Sequence, residues 1–242
     1  MVKKKIIVSV IILLFITSFL FISSYEDKNF RVAHAGGEYN ELTYSNSLNA
    51  IKKNLANVKY FELDLQITKD NRLVCLHDPN IHDLSFDEIK KELLKNNKCY
   101  DQKLKKFLDF NKDIFIITDF KTDNIQGLKF IKNNFYEHLD KFIPQIYFKN
   151  EYDEVKKLGF NKIIFTLYKV PNLSNEQIIT DIKKMDLFAI TMDPARLRKG
   201  LVKQLHNKNF IIYVYTVNSY LRFLQYKLFY GMDEIYTDNL FY

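Results

Sequence analysis

The chain reads as an α/β protein of the (β/α)8 TIM-barrel class, small for that fold, on three observations. Eight short apolar runs recur along it, and nearly all are separated by segments with apolar residues at i, i+3, i+4 and i+7. About 212 residues, from 31 to 242, hold these elements, which is near the lower size limit of a barrel. The first turn is not the glycine-rich one of a doubly wound sheet, and that alternative would use fewer strands.

The expected strands are Arg31–His34, Tyr60–Ile67, Ile114–Asp119, Phe142–Tyr147, Ile163–Leu167, Phe188–Met192, Phe210–Thr216 and Glu234–Thr237. Between them, Ser45–Leu55, Gly127–Phe135, Glu151–Leu158, Glu176–Met185, Ala195–Lys208 and Ser219–Phe229 carry helical periodicity; Ile178, Ile179, Ile182 and Met185 show it plainly. One stretch breaks the alternation. The turn cluster Lys69-Asp70-Asn71 lets Arg72–His77 fold back on Tyr60–Ile67 as a hairpin. Polar, lysine-rich helical sequence follows from Ser85 to Asn111, an insertion after the second strand and therefore at the carboxyl end of the barrel, where such folds keep their chemistry. No internal repeat or low-complexity linker divides residues 31–242, which read as one domain.

The amino terminus is different in kind. Residues 1–5 form a basic flank with Lys3, Lys4 and Lys5, and the run Ile6–Ile22 contains no charge. Residues 6–24 are expected to be a transmembrane anchor, or else a signal peptide that is cleaved. The lysines would stay in the cytoplasm and send the remainder outward. The expected location is a bacterial cell membrane, single-pass with the barrel outside the cytoplasm, or secretion if the segment is removed. Cys75 and Cys99 could pair in that oxidising setting; alternatively Cys75 is a small buried residue and Cys99 is exposed. The net charge of +7, from 36 Lys+Arg against 29 Asp+Glu, is small and scattered. Without an arginine-rich stripe it gives no support to a nucleic-acid partner.

Polar residues gather at the ends of the early strands. Glu62 and Asp64 share a face because strand side chains alternate. Pointing inward they would be costly unless a cation or a partner neutralised them; Asp119 could supply a third oxygen ligand, and an all-oxygen set favours Mg²⁺ or Ca²⁺. On an exposed edge strand, Phe61, Leu63 and Leu65 would face the core instead. His34 and His77 end strands on the carboxylates' face and could move protons in phosphodiester cleavage beside such a cation. His138 and His206 lie on expected helices, as surface residues.

In order, these blocks resemble the glycerophosphodiester phosphodiesterases, in the superfamily that includes phosphatidylinositol-specific phospholipase C. Ala33-His34-Ala35-Gly36 resembles the family's HRG, and Tyr44-Ser45-Asn46-Ser47 stands where ENT is usual. Glu62-x-Asp64 with His77-Asp78 is similar to its metal strand and second histidine block. Asp119-Phe120-Lys121 stands where ExK does, Tyr215-Thr216-Val217-Asn218 resembles WTVN, and Gly231–Asp238 resembles the closing GVDGIxTD.

The resemblance implies His34 and His77 as the acid–base pair and Glu62, Asp64 and Asp119 as ligands of one divalent cation, Mg²⁺ or Ca²⁺. It further implies Lys121, Asn46, Gly36 and Tyr215 as substrate or phosphate contacts. The implied reaction is metal-dependent hydrolysis of a glycerophosphodiester, a small-molecule or lipid-derived substrate, to an alcohol and glycerol phosphate. Two alternatives remain: a lipid head-group phosphodiesterase, or a silent barrel that binds a phosphorylated ligand. The departures bear on recognition. Ala35 replaces the family's forked arginine donor, Ser45 replaces the glutamate of ENT, Asp119 is a methylene shorter than glutamate, and Tyr215 replaces tryptophan. Gly36-Gly37 offer backbone N–H groups that could stand in for the guanidinium.

Overall fold

The computed structural model describes residues 30–78, 80–198, 200–205 and 210–240. The amino-terminal run and His206 lie outside the described residues. Among those described, no helix is long and apolar enough to cross a membrane.

Among the described residues nine strands form: β1 (Val32–Ala33), β2 (Tyr60–Ile67), β3 (Leu73–Cys75), β4 (Phe115–Phe120), β5 (Phe142–Ile146), β6 (Ile164–Thr166), β7 (Ala189–Met192), β8 (Ile211–Val214) and β9 (Glu234–Thr237). All but β3 are parallel and in sequence order, and β1 pairs with both β9 and β2, closing the ring of the expected barrel. β2 divides its length. Tyr60 and Phe61 pair with β1, while Leu65–Ile67 pair antiparallel with β3, so the hairpin rises above the carboxyl rim. The first strand is shorter than expected because Ala35, Gly36 and Gly37 all take positive φ and turn the chain at once.

Nine α-helices surround the ring: α1 (Leu48–Asn54), α2 (Phe86–Lys95), α3 (Asp101–Phe110), α4 (Asn124–Asn134), α5 (Tyr152–Lys157), α6 (Asn175–Ile182), α7 (Pro194–Arg198), α8 (Leu201–Leu205) and α9 (Tyr220–Tyr230), counted among the described residues. At the starts of α1, α4 and α6 the N-cap side chain accepts a backbone N–H. Ser47 Oγ accepts from Ala50 N–H, Asp123 from Gln126 N–H and Ser174 from Gln177 N–H, while Gln177 answers to Ser174 N–H. The stretch expected as one helix over Ala195–Lys208 is interrupted, with Gly200 left-handed between α7 and α8.

Two apolar layers follow from strand alternation. Phe61, Leu63 and Leu65 face the helices in the main core, and Val32, Tyr60, Ile117, Ile143, Ile164, Ala189, Tyr213 and Tyr236 fill the lower barrel. Tyr60 stacks on Phe115 at 5.1 Å and on Phe188 at 5.8 Å, sealing that end against water. The insertion has a small core of its own around Val74, Phe86, Ile89 and Leu93. It is tied down by a Cys75–Cys99 disulfide, Cα atoms 5.1 Å apart, and by a two-pronged Arg72–Asp101 ion pair. Cys99 is therefore buried and paired, which settles the two readings of the cysteines. His138, expected at the surface, is buried with Nε2 2.9 Å from Asp109 Oδ1, because α3 packs over its 3-10 turn.

Candidate active site

Above the apolar plug the interior turns polar. Every residue of β2 is buried and the strand is paired on both sides, so the exposed edge-strand alternative does not hold, and Glu62 and Asp64 take the face inside the barrel. Their carboxylate oxygens and those of Asp119 come within 4.8 Å of one another. A cavity of about 140 Å³ opens there, lined by His34, Tyr44, Glu62, His77, Asp119, Lys121, Gln145, Thr166, Tyr168, Tyr215, Thr216 and Tyr236.

Each charged group has a defined partner. Ala35 N–H donates to Glu62 Oε2 at 2.8 Å, an accommodation the left-handed Ala35 makes possible. Asn46 Nδ2 donates to Asp64 Oδ2 at 2.7 Å, and Asp64 N–H donates to Asn46 Oδ1 at 2.9 Å. Tyr147 O–H donates to Asp119 Oδ1. The Lys121 ammonium bridges Asp64 Oδ1 at 2.6 Å and Asp119 Oδ2 at 2.7 Å. Burial pulls its pKa down, but Asp119, Asp64 and Glu62 together lift it above the ordinary lysine value, so it stays charged. Burial and the neighbouring Asp64 push the Glu62 carboxyl up to about 8, against the pull of His34.

The imidazoles occupy different settings. His34 Nδ1 lies 2.8 Å from Asp238 Oδ1 and its Nε2 lies 3.8 Å from Glu62 Oε2. Burial opposes its charge, yet the Asp238 hydrogen bond and the Glu62 and Asp64 carboxylates raise it to about 9. Asp238 is itself fixed by Asn218, whose Nδ2 donates to Asp238 Oδ2 at 2.6 Å. His77 stands at the rim with its side chain 40% exposed and Nδ1 against Asp78. The Tyr44 ring makes an edge contact with each of the two imidazoles, its centroid 4.6 Å from that of His34 and 5.4 Å from that of His77.

Of the residues singled out in the sequence, His34, His77, Glu62, Asp119, Lys121 and Tyr215 line one cavity, with Asp64 directly behind Lys121. Asn46 is fully buried and spends both ends of its amide on Asp64. Gly36 lies outside the lining; its carbonyl accepts from Asn54 Nδ2 at 3.3 Å. Gly37 N–H donates to His34 O at 2.8 Å and is spent inside the turn. Sequence reading missed Asp238 and Tyr147 as partners of His34 and Asp119, and Tyr44 as the spacer between the histidines. The TD ending of the last strand block was a usable signal for Asp238.

The carboxylate set suits a hard divalent cation. Glu62 Oε1 is buried and has no hydrogen-bond partner, an acceptor left for a ligand that the protein does not supply.

Comparison with known proteins agrees with this geometry. Residues 34–88 match the Glycerophosphoryl diester phosphodiesterase family, a span that holds His34, Glu62, Asp64 and His77. Among solved structures, a glycerophosphodiester phosphodiesterase from Parabacteroides distasonis superimposes with a TM-score of 0.66 at 19% identity, covering 86% of this chain and 92% of that one. The Thermotoga maritima glycerophosphodiester phosphodiesterase gives 0.64 at 19%, again over 86% and 92%. An Oleispira antarctica phosphodiesterase, solved with its product sn-glycerol-3-phosphate, gives 0.61 at 12% over 86% and 92%. No curated protein matches the chain in sequence. Residues 34–88 thus carry a match to the Glycerophosphoryl diester phosphodiesterase family, and the barrel around them has the fold of these solved structures.

Proposed function

We propose that this barrel cleaves a glycerophosphodiester to an alcohol and glycerol phosphate, with His34 and His77 as proton carriers and one divalent cation on Glu62, Asp64 and Asp119. The observation that carries the reading is the meeting of two imidazoles and three carboxylates around one cavity in which Glu62 Oε1 is unpaired. A cation held there, Mg²⁺ or Ca²⁺ by the all-oxygen donor set, would polarise a phosphoryl oxygen.

His34, held charged by Asp238, is placed to give a proton to the departing alcohol oxygen. His77, oriented by Asp78, is placed to accept one from the attacking glycerol hydroxyl. Attack on phosphorus by that hydroxyl leaves a cyclic phosphate, which water opens as the two imidazoles exchange roles. Lys121 balances charge on the non-bridging oxygens, and Tyr44 keeps the histidines apart. The reading is tested by assaying glycerol phosphate release with Mg²⁺, Ca²⁺ or EDTA. His34→Ala and His77→Ala should each lower kcat by about 10²–10⁴, the usual contribution of general acid–base catalysis. Unaltered turnover in both variants would end it.

One observation favours a second reading. Lys121 already bridges Asp64 and Asp119, so the site is partly neutralised by its own ammonium, as a metal-free phospho-ligand-binding barrel would require. Binding of glycerol phosphate without metal-stimulated turnover would select it. Export is part of the proposal too. The basic flank and apolar run at the amino terminus support it, as does a structural disulfide, which persists in oxidising compartments.

A further inference from the structure

A second cavity of about 400 Å³ adjoins the first and shares Tyr44 and His77 with it; Asp78 and Lys98 complete its lining. Lys98 is not in the family signature region, and nothing in the hydrolytic scheme uses it. It lies in the short segment between α2 and α3, which is held unusually firmly. Cys99 beside it is bonded to Cys75, Cys99 N–H donates to Asn46 O at 3.2 Å, and Leu48 N–H donates to Asn97 O at 3.2 Å. The ammonium is thus presented from a fixed backbone beside the loop that carries Asn46.

Its surroundings leave the charge underused. Nζ donates to Ser45 O at 3.2 Å, and among the described residues no carboxylate forms an ion pair with it. Burial pulls its pKa below the ordinary lysine value, outweighing the longer-range pull of the Glu92 and Asp64 carboxylates. The carboxylate that shares the cavity, Asp78, is turned to His77 Nδ1. Among the described residues, Lys98 is the one ammonium in the lining of this outer cavity. A half-desolvated cation on a rigid backbone, beside the outer histidine, is a recognition device for an oxyanion.

We propose that Lys98 forms an anion subsite beside the catalytic cavity, and that the preferred substrate is a glycerophosphodiester bearing a second oxyanion on the His77 side of phosphorus. The proposal rests on the hydrolytic reading of His34 and His77 and narrows it to doubly anionic substrates.

Two matched pairs of compounds test it on the full chain. Glycerophosphoserine differs from glycerophosphoethanolamine by one carboxylate; bis(glycerophospho)glycerol differs from glycerophosphoglycerol by one further phosphodiester. The wild-type protein should favour the more anionic member of a pair by about tenfold in kcat/KM, the scale of one charge-assisted hydrogen bond. Lys98→Gln should bring that ratio close to unity and Lys98→Arg should retain it, a discrimination that a merely structural lysine would not produce. The pair that responds identifies the anion as carboxylate or phosphoryl. An unchanged ratio in Lys98→Gln, or no preference in the wild type, overturns the proposal. If the wild type cleaves none of the four, the hydrolytic reading fails. The subsite is then judged by titrating O-phosphoserine and phosphoethanolamine onto wild type and Lys98→Gln. Tighter binding of phosphoserine by the wild type alone supports it, and equal or absent binding refutes it.

Discussion

Replacing Asn46 separates its positioning of Asp64 from a direct role in binding substrate. Its amide makes two buried bonds to Asp64: one to a carboxylate at 2.7 Å and one from a backbone N–H at 2.9 Å. A hydrogen bond to a charged group contributes about 1.5–3 kcal/mol and a neutral one about 1. Asn46→Gly should therefore destabilise the fold by about 3 kcal/mol. The backbone at this position has φ 49°, so Asn46→Ala should add about 1 kcal/mol more for a β-carbon in the left-handed region. For a chain of this size the two changes correspond to a fall in Tm of roughly 6–12 °C and 8–16 °C.

Because Asp64 loses its clamp, affinity for a divalent cation should drop about 10- to 100-fold, the usual effect of removing a partner that orients a ligand. Thermal melts followed by circular dichroism, with and without Mg²⁺, and calorimetric titration of the ion measure both effects. A Tm within 2 °C of wild type together with metal affinity within twofold would refute the positioning role and return Asn46 to direct substrate contact.

Other perturbations have equally definite outcomes. Asp238→Ala unties His34 and should lower kcat by at least ~10² while leaving KM nearly unchanged, as measured by steady-state kinetics. Reducing the Cys75–Cys99 bond, or replacing both cysteines by serine, frees a loop spanning 24 positions and should cost about 3 kcal/mol in a urea titration. Gly127→Ala, which favours a helix in isolation, should here destabilise by about 1–3 kcal/mol. The new β-carbon would meet Phe120 Cζ at 2.6 Å, so α4 must lift from β4. Chelation should abolish turnover, and added Mg²⁺ should raise Tm in the wild type but not in Glu62→Gln/Asp64→Asn.

The strands were the legible part of the sequence, and for a physical reason. Tyr60–Ile67 and Glu234–Thr237 form with both ends as expected, because turn residues bound each apolar run abruptly. The orientation of Glu62 and Asp64 was not legible from alternation. A barrel strand is buried on both faces, so neither set of side chains is marked by solvent. The resemblance placed His34 and His77 by order alone, but the partner that fixes His34 lies 204 residues away. A buried His138 was missed because its cover, Asp109, comes from the insertion. The disulfide was undecidable because sequence separation carries no information about Cα distance.

β1 is two residues long, yet it is the seam through which the ring shuts, with β9 on one side and β2 on the other. The bond from His34 to Asp238 crosses that seam. The anchoring of His34 is consequently deferred during biosynthesis: a nascent chain arrested anywhere before Asp238 holds an untethered imidazole.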